Sequence, residues 1–306
     1  MNPIGRPGSI LAIAVLTTLA HLVLAPDVGA TFPARNGLIA FHADVGDNGP
    51  QIFTIRSNGK QLSQVTHVDG VAALPDWSPD GRQIVFTLNE CAIALIDADG
   101  GNLREVASDE GACFSDANFT PDGARLVFTR FDFAIEAESI WSMQVDGSDQ
   151  RFITDLGGPD PNVSPDGRNI SFKGPDGALF VANIDGAGAV QVSPSISVTY
   201  KHDWAPDGQH LVVSDNSDPA PTESVNVVTV RPDGSEWTYL THYPAGFRAN
   251  AGGYSPDGQW IVFRREGPGL VPTLYRIRPD GSDLHALYAS STVIPRFIDW
   301  GPAAAP

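Results

Sequence analysis

Five copies of one short phrase constrain the fold of this chain more than any other feature. They are DWSPDGRQIVF at 76–86, NFTPDGARLVF at 118–128, NVSPDGRNISF at 162–172, DWAPDGQHLVV at 203–213 and GYSPDGQWIVF at 253–263. A sixth begins as FIDWGP at 297–302. The matching prolines, Pro79, Pro121, Pro165, Pro206, Pro256 and Pro302, follow at intervals of 42, 44, 41, 50 and 46 residues. A period of about 40 to 50 residues belongs either to an array of helical pairs or to a propeller of four-stranded blades. The chemistry of the phrase selects the propeller. Ser, Pro, Asp and Gly in that order suit a type I turn: a capping polar residue, a proline with preset φ, and a glycine to leave the turn. The run after each turn, such as Ile84, Val85 and Phe86, is too short for a helix and rich in β-branched residues, which predicts a buried strand.

A second phrase alternates with the first and occurs six times, as IFTIRSNGKQLSQVT at 52–66, IALIDADGGNLREVA at 93–107 and IWSMQVDGSDQRFIT at 140–154. The others are LFVANIDGAGAVQVS at 179–193, VNVVTVRPDGSEWTYLT at 225–241 and LYRIRPDGSDLHALY at 274–288. Each reads as strand, Asn-Gly, Asp-Gly or Gly-Ala turn, and strand, so one repeat supplies four antiparallel strands. The missing complete copy of the first phrase exists as two halves, NGLIAF at 36–41 and FIDWGP at 297–302. Joined, they make a sixth blade whose inner strand is carboxy-terminal and whose other three are amino-terminal. The expected fold is all-β: a six-bladed β-propeller of four-stranded antiparallel blades, its ring closed by pairing of N- and C-terminal strands.

Residues 1–30 stand apart. Arg6 lies in a short polar start, Ser9 to Ala25 is apolar, and Val-Gly-Ala at 28–30 offers small residues for cleavage, the layout of a secretory signal. The expectation is a signal peptide at 1–30, cleaved after Ala30, with an uncleaved membrane anchor as the alternative. Residues 31–306 then form one propeller domain, secreted or periplasmic, with no membrane insertion after cleavage. The formal net charge of -17 repels nucleic acid and anionic membrane surfaces, so no nucleic-acid partner is expected. Cys91 and Cys113 are the only cysteines. Both fall in connections on the same face of the disc, and export permits a disulfide between them.

On these phrases the chain resembles the TolB-like propellers, the PD40 or WD40-like repeat family, over Asn36 to Pro302. The resemblance implies the six-bladed fold. TolB itself has an additional α/β domain ahead of its propeller, and here only about five residues separate Ala30 from Asn36, so its lipoprotein partner and translocation role are not implied. Propellers of this kind also precede prolyl-oligopeptidase-type hydrolases, but the chain has no G-x-S-x-G.

Trp77, Phe119, Val163, Trp204, Tyr254 and Trp300 recur at one place in every inner strand, where large rings fill the wedge between neighbouring sheets. DADGGN at 97–102 lacks the distal acid of a calcium loop and reads as a plain turn. The connections opposite the uniform turns vary from NEC at 89–91 to TRFDFAIEAES at 129–139, SDNSDPAPTES at 214–224 and REGPGLVP at 265–272. Function on a repeat scaffold concentrates in such loops. Arg130, Lys173, Lys201, Arg248, Arg264, Arg265 and Arg296 gather on that face and are the candidate ligand-binding residues, suited to a carboxylate-bearing peptide or an acidic carbohydrate. Asp132, Glu136, Asp203, Glu223 and Glu266 lie near them and offer charge balance instead. His42, His67, His202 and His242 also reach that face, but their spacing fits no compact ligand motif. His67, His202 and His242 are the alternative metal set; otherwise no metal and no cofactor is expected. The leading functional reading is a non-enzymatic interaction module for a protein or peptide ligand. Its alternative is a hydrolase or lyase acting on extracellular or envelope polysaccharide at the channel mouth.

Overall fold

Each Ser-Pro-Asp-Gly phrase closes a hairpin whose geometry explains its composition. In the first copy the Gly81 N–H donates to the Ser78 carbonyl at 2.9 Å, and Gly81 takes φ of 69°, a conformation that suits glycine. The Ser78 hydroxyl donates to Asp80 Oδ1 at 2.7 Å and accepts the Gln83 N–H at 2.9 Å, while Asp80 Oδ1 accepts the Arg82 N–H at 3.0 Å. Serine and aspartate thus bond the turn's own backbone. The arrangement recurs at Ser164 with Asp166 and at Ser255 with Asp257.

The computed structural model describes residues 34–193, 198–216 and 224–304, with the backbone alone at 198–200. The expected signal at 1–30, and Glu223, lie outside the described residues. Among the described residues, twenty-four strands form six four-stranded antiparallel sheets. The first blade holds β4 (Ala72–Trp77), β5 (Gln83–Leu88), β6 (Ala92–Asp97) and β7 (Arg104–Ala107). The second holds β8 (Ala112–Phe119), β9 (Arg125–Asp132), β10 (Ala137–Gln144) and β11 (Arg151–Thr154). The third comprises β12 (Asn162–Val163), β13 (Asn169–Lys173), β14 (Leu179–Asn183) and β15 (Val190–Gln191). The fourth is β16 (Val198–Trp204), β17 (Leu211–Asp215), β18 (Asn226–Val230) and β19 (Thr238–Tyr239). The fifth is β20 (Arg248–Tyr254), β21 (Ile261–Glu266), β22 (Thr273–Ile277) and β23 (His285–Ala289). In each, the first strand lines the channel. The hairpin turns of first to second and third to fourth strands share one face, the turn face; the remaining connections share the other, the loop face.

The sixth blade is the split one. Its order is β24 (Arg296–Pro302), β1 (Asn36–Asp44), β2 (Pro50–Arg56) and β3 (Ser63–Gln64). β24 pairs with β1 antiparallel, with Ile39 opposite Trp300 and Ala40 opposite Asp299. The Ala303 N–H donates to the Arg35 carbonyl at 2.8 Å, and Asn36 exchanges two side-chain bonds with Asp257 of the fifth blade. Chain closure and ring closure are therefore the same contact.

Among the described residues, six apolar clusters form the core, one at each blade junction. The inner-strand rings fill these wedges: Trp77 packs with Ala40, Ile52 and Val65 of the sixth blade, and Trp300 with Val262 and Leu274 of the fifth. In the third blade Val163 has no ring to offer, and β12 is only two residues long. One departure from the repeat follows from this packing. Gly301 stands where other copies have Ser78, Thr120, Ser164, Ala205 or Ser255, and a Cβ at 301 would run into Cγ, Cδ1 and Cδ2 of the Trp77 indole. Gly301→Ser, although it restores the repeat consensus, should cost about 1–3 kcal/mol through overpacking. A lowered denaturant midpoint checks this; an unchanged or raised midpoint refutes it.

Candidate functional site: the channel and its two mouths

The residue before each wedge ring points along the channel wall and ties its blade to the next. Asp299 Oδ2 accepts the Trp77 N–H at 3.0 Å, Asp76 Oδ2 accepts the Phe119 N–H at 2.9 Å, and Asp203 Oδ2 accepts the Tyr254 N–H at 2.8 Å. Asn118 and Asn162 make the same kind of tie with reversed polarity, donating to the carbonyls of Pro161 at 3.0 Å and His202 at 3.3 Å. At the sixth position Gly253 makes none, and a Cβ there would come 2.6 Å from Asp203 Oδ2. A belt of side-chain-to-backbone bonds thus encircles the channel at five of six junctions. Sequence reasoning attended to the rings and passed over this belt, although Asp, Asn, Asn, Asp and Asp in register were its visible signal.

One cation sits inside the acidic part of the belt. Lys201 Nζ lies 2.9 Å from Asp299 Oδ1 and 4.0 Å from Asp76 Oδ1, with its side chain buried. Burial would lower its pKa, but Asp299, Asp76 and Asp203 outweigh that and hold the ammonium well above the ordinary lysine value. Burial, helped by Asp299, raises the Asp76 carboxyl well above the usual range against the pull of Lys201. Burial also pushes Asp203 up to about 7, opposed by Lys201. Deeper in the wall Asp116 is raised to about 6 by burial and by Asp160. Burial acts to raise Asp160 as well, but His202 outweighs it and holds the carboxyl at about 2. The His202 backbone N–H donates to Asp160 Oδ2 at 2.8 Å, its Nε2 lies 2.9 Å from Ser171 Oγ, and its Nδ1 is 2.9 Å from Asp160 Oδ2 without hydrogen-bond alignment.

On the turn face the channel widens into a funnel of about 130 Å³. Its walls are Trp77, Phe119, Trp204, Tyr254 and Trp300, its rim is the ring of six turn prolines, and Asp76, Asp203 and Asp299 form its floor. The rings that fill the wedges therefore also present an edge to this opening.

The seven candidate cations are spread around the loop face and the channel wall, each beside a local partner. Arg130 pairs with Asp132 at 3.0 Å beneath Trp141. Arg264 is buried, donating to the Pro295 carbonyl and to Glu266, and Arg265 lies over the rings of Tyr243 and Tyr275. Lys173 ends β13 and acts on Asp116, Glu138 and Asp160. Lys201 is inside the channel. Arg248 and Arg296 are part exposed, 3.9 Å from Glu266 and 3.1 Å from Asp44. The histidines do not converge: His67 and His242 are exposed on different blades, His202 is in the wall, and His42 is buried against Phe297. Burial, with Arg296 and Arg264, lowers His42 to about 3, so its Nδ1 accepts the Leu74 N–H. Among the described residues no three His, Cys, Asp or Glu side chains meet in a way that holds a metal ion.

Among the described residues, the loop face carries a long hairpin with an apolar tip. The hairpin of β9 and β10, eight residues each, puts Phe133 and Ile135 at its tip, 50% and 74% exposed. Phe133 lies edge-on to Phe131 and its N–H donates to the Gly111 carbonyl. Phe131 is opposite Cys113, which is disulfide-bonded to Cys91 with Cα atoms 4.3 Å apart. Asp132, Glu136 and Glu138 flank the apolar tip.

Six four-stranded blades around a channel, with the repeat turn on one face, define a six-bladed β-propeller. The PD40 family, described as the TolB beta propeller domain, matches residues 86–304, and the chain belongs to that family. It is 27% identical over 258 residues to the uncharacterized protein Atu1656 of Agrobacterium fabrum, covering 84% of this chain and 69% of that one. Among solved structures, TolB from Acinetobacter baumannii superposes with a TM-score of 0.73 at 20% identity, over 87% of this chain and 67% of that one. An oligogalacturonate lyase from Vibrio parahaemolyticus superposes with a TM-score of 0.57 at 16% identity, over 84% and 79%. At these identities the structural likenesses establish the fold. Among the described residues no helix is long and apolar enough to cross a membrane.

Proposed function

We propose that this protein is an exported interaction module that holds a protein or peptide ligand on its loop face. Membership of the TolB propeller family supports an interaction role in general, and the apolar start of the chain supports export. The observation that carries the reading is the β9–β10 tip. Burying a Phe or Ile side chain is worth about 1.5–3 kcal/mol, and the fold leaves Phe133 and Ile135 together in solvent, Ile135 being the most exposed large apolar side chain among the described residues. The Cys91–Cys113 disulfide ties β8, which pairs with β9, to the first blade, and a stiffer support lowers the ordering cost of docking. Arg248 and Arg296, with side chains 39% and 42% exposed, are the charged contacts in this reading.

A photo-crosslinking residue at Phe133 should give a discrete adduct in the exported fraction of the source cells, and the same residue at Asp166, exposed on the turn face, should not. Equal labelling from both positions, or none from Phe133, refutes the assignment. The alternative, a polysaccharide hydrolase or lyase, draws on the fold shared with oligogalacturonate lyases. It requires stoichiometric metal or polysaccharide turnover in the purified protein, from histidines that stand apart on the surface and in the wall.

A further inference from the structure

We propose that the partner of the loop face is a second copy of this chain. Two propellers dock loop face to loop face about a two-fold axis, each seating its β9–β10 tip on the β21–β22 connection of the other copy. The inference rests on the loop-face reading and names its ligand.

The placement of exposed apolar side chains carries it. Among the described residues, the large ones exposed on the loop face fall into two groups: Phe133, Ile135 and Leu156 on the second blade, and Leu270 and Val271 on the fifth. The other exposed ones lie on outer strands or lead into them, as Leu103 leads into β7 and Leu284 into β23. Clustered apolar exposure of this kind marks interaction surfaces. The second and fifth blades are three junctions apart in either direction around the ring. The two groups therefore stand at opposite ends of one diameter of the disc.

Charge divides along the same diameter. Beside the second-blade group Glu90, Asp109, Glu110 and Glu136 are exposed. The Phe133 N–H bond to the Gly111 carbonyl and the Cys91–Cys113 disulfide bring the first three next to the tip, and Arg130 is paired with Asp132. Beside the fifth-blade group Arg248, Arg264, Arg265 and Arg296 outnumber Glu266 and Asp44. Arg265 stands opposite Thr273 at the base of the β21–β22 connection, and Arg264 reaches the Pro295 carbonyl next to Arg296. One end of the diameter is apolar and acidic; the other is apolar and basic.

A face divided in this way is complementary to itself. A half-turn about an axis between two facing discs, perpendicular to that diameter, carries the second blade of each copy over the fifth blade of the other. Both contacts then form at once, and the pair is closed. The formal net charge of -17 on each copy opposes approach, but at physiological ionic strength charges more than about 8 Å apart are largely screened. The charges that face each other across the contact therefore decide.

Sedimentation velocity of the exported protein at micromolar concentration and physiological salt should give twice the chain mass. Ile135→Asp should raise the dissociation constant at least about tenfold, because it sets a charge in the apolar contact. Arg248→Glu with Arg296→Glu makes both ends of the diameter acidic, and Glu110→Arg with Glu136→Arg makes both basic. Each doubly substituted protein alone should associate at least about tenfold more weakly, and an equal mixture of the two should recover the dimer as a mixed pair. If the arginine variant fails to fold, Ile135→Asp and the Glu110→Arg, Glu136→Arg protein, altered only at exposed positions, decide in its place. A monomeric wild type, undiminished association of any folded variant, or a mixture that does not pair would each overturn the proposal. Photo-crosslinking from Phe133 separates the two readings. An adduct of twice the chain mass agrees with both, an adduct of any other mass upholds the loop-face reading and overturns the self-association, and no adduct overturns both.

Discussion

Deletion of Val293–Pro306 should leave a protein without a cooperative unfolding transition. The deleted segment contains β24, so β1 loses its inner partner and becomes an open edge facing the channel. Trp300 and Ile298 leave the cluster they share with Ile39, Phe41, Val262 and Leu274. Loss of one large buried aromatic alone costs about 3–5 kcal/mol. Asp299 goes too, taking the bond to the Trp77 N–H and the close partner of Lys201. An uncompensated buried charge then adds a penalty of comparable size. Against a total stability of about 5–15 kcal/mol for a domain, these losses are enough to abolish the folded ring. Size-exclusion chromatography and a thermal melt monitored by tryptophan fluorescence read the outcome. A monomeric truncated protein with an unchanged midpoint would falsify the closure described for the sixth blade.

The same closure shows how far the sequence could be read. Blade number, strand order and the split blade follow from counting phrases, because the turn chemistry of Ser78-Pro79-Asp80-Gly81 is local and each copy carries its own hydrogen bonds. The wedge rings were legible for the same reason: a side chain at one register in every blade meets the same neighbour in every blade. The channel was not. Asp76 meets the Phe119 N–H across 43 residues, and Lys201 meets Asp299 across 98. Such contacts depend on where the inner strands bulge, between Ala73 and Asp76 in β4 and between Thr199 and Asp203 in β16. A bulge turns a side chain from the loop face toward the axis. Lys201 therefore reads as a surface cation from its position before an inner strand, whereas it occupies the channel wall. Gly301 was legible as a truncated phrase, but its reason, the indole of Trp77, belongs to another blade.

Lys201→Met should be strongly destabilising at pH 8 and distinctly less so at pH 5. Methionine is close to lysine in length and has no charge, so the change removes the ammonium while keeping most of the volume. At pH 8 the variant confines Asp76, Asp203 and Asp299 together without a cation, and breaking a buried ion pair in this way costs about 3–5 kcal/mol. At pH 5 Asp203, raised to about 7 by burial, is protonated in the folded protein, and burial with Asp299 likewise favours the protonated form of Asp76. There is then less repulsion to relieve. The sign follows from linkage. A carboxyl whose folded pKa exceeds its unfolded value contributes stability that is fully present below the unfolded pKa, near 3.8, and is lost as pH rises through the folded value. Removing Lys201 raises both folded values further, so the variant loses stability with rising pH more steeply than the wild type. Lys201 itself remains charged throughout this range and adds no slope. His42, lowered to about 3, costs stability as pH falls through 6.5, but it does so in both proteins and cancels in the difference. Chemical denaturation of the pair at pH 5, 6.5 and 8 measures this difference directly. A gap that widens with pH identifies Lys201 as the counter-charge of the channel floor, whereas a constant gap means that the loss is one of packing alone, and a gap widest at pH 5 means that the floor carboxylates are ionised in acid and their protonation has been assigned with the wrong sign.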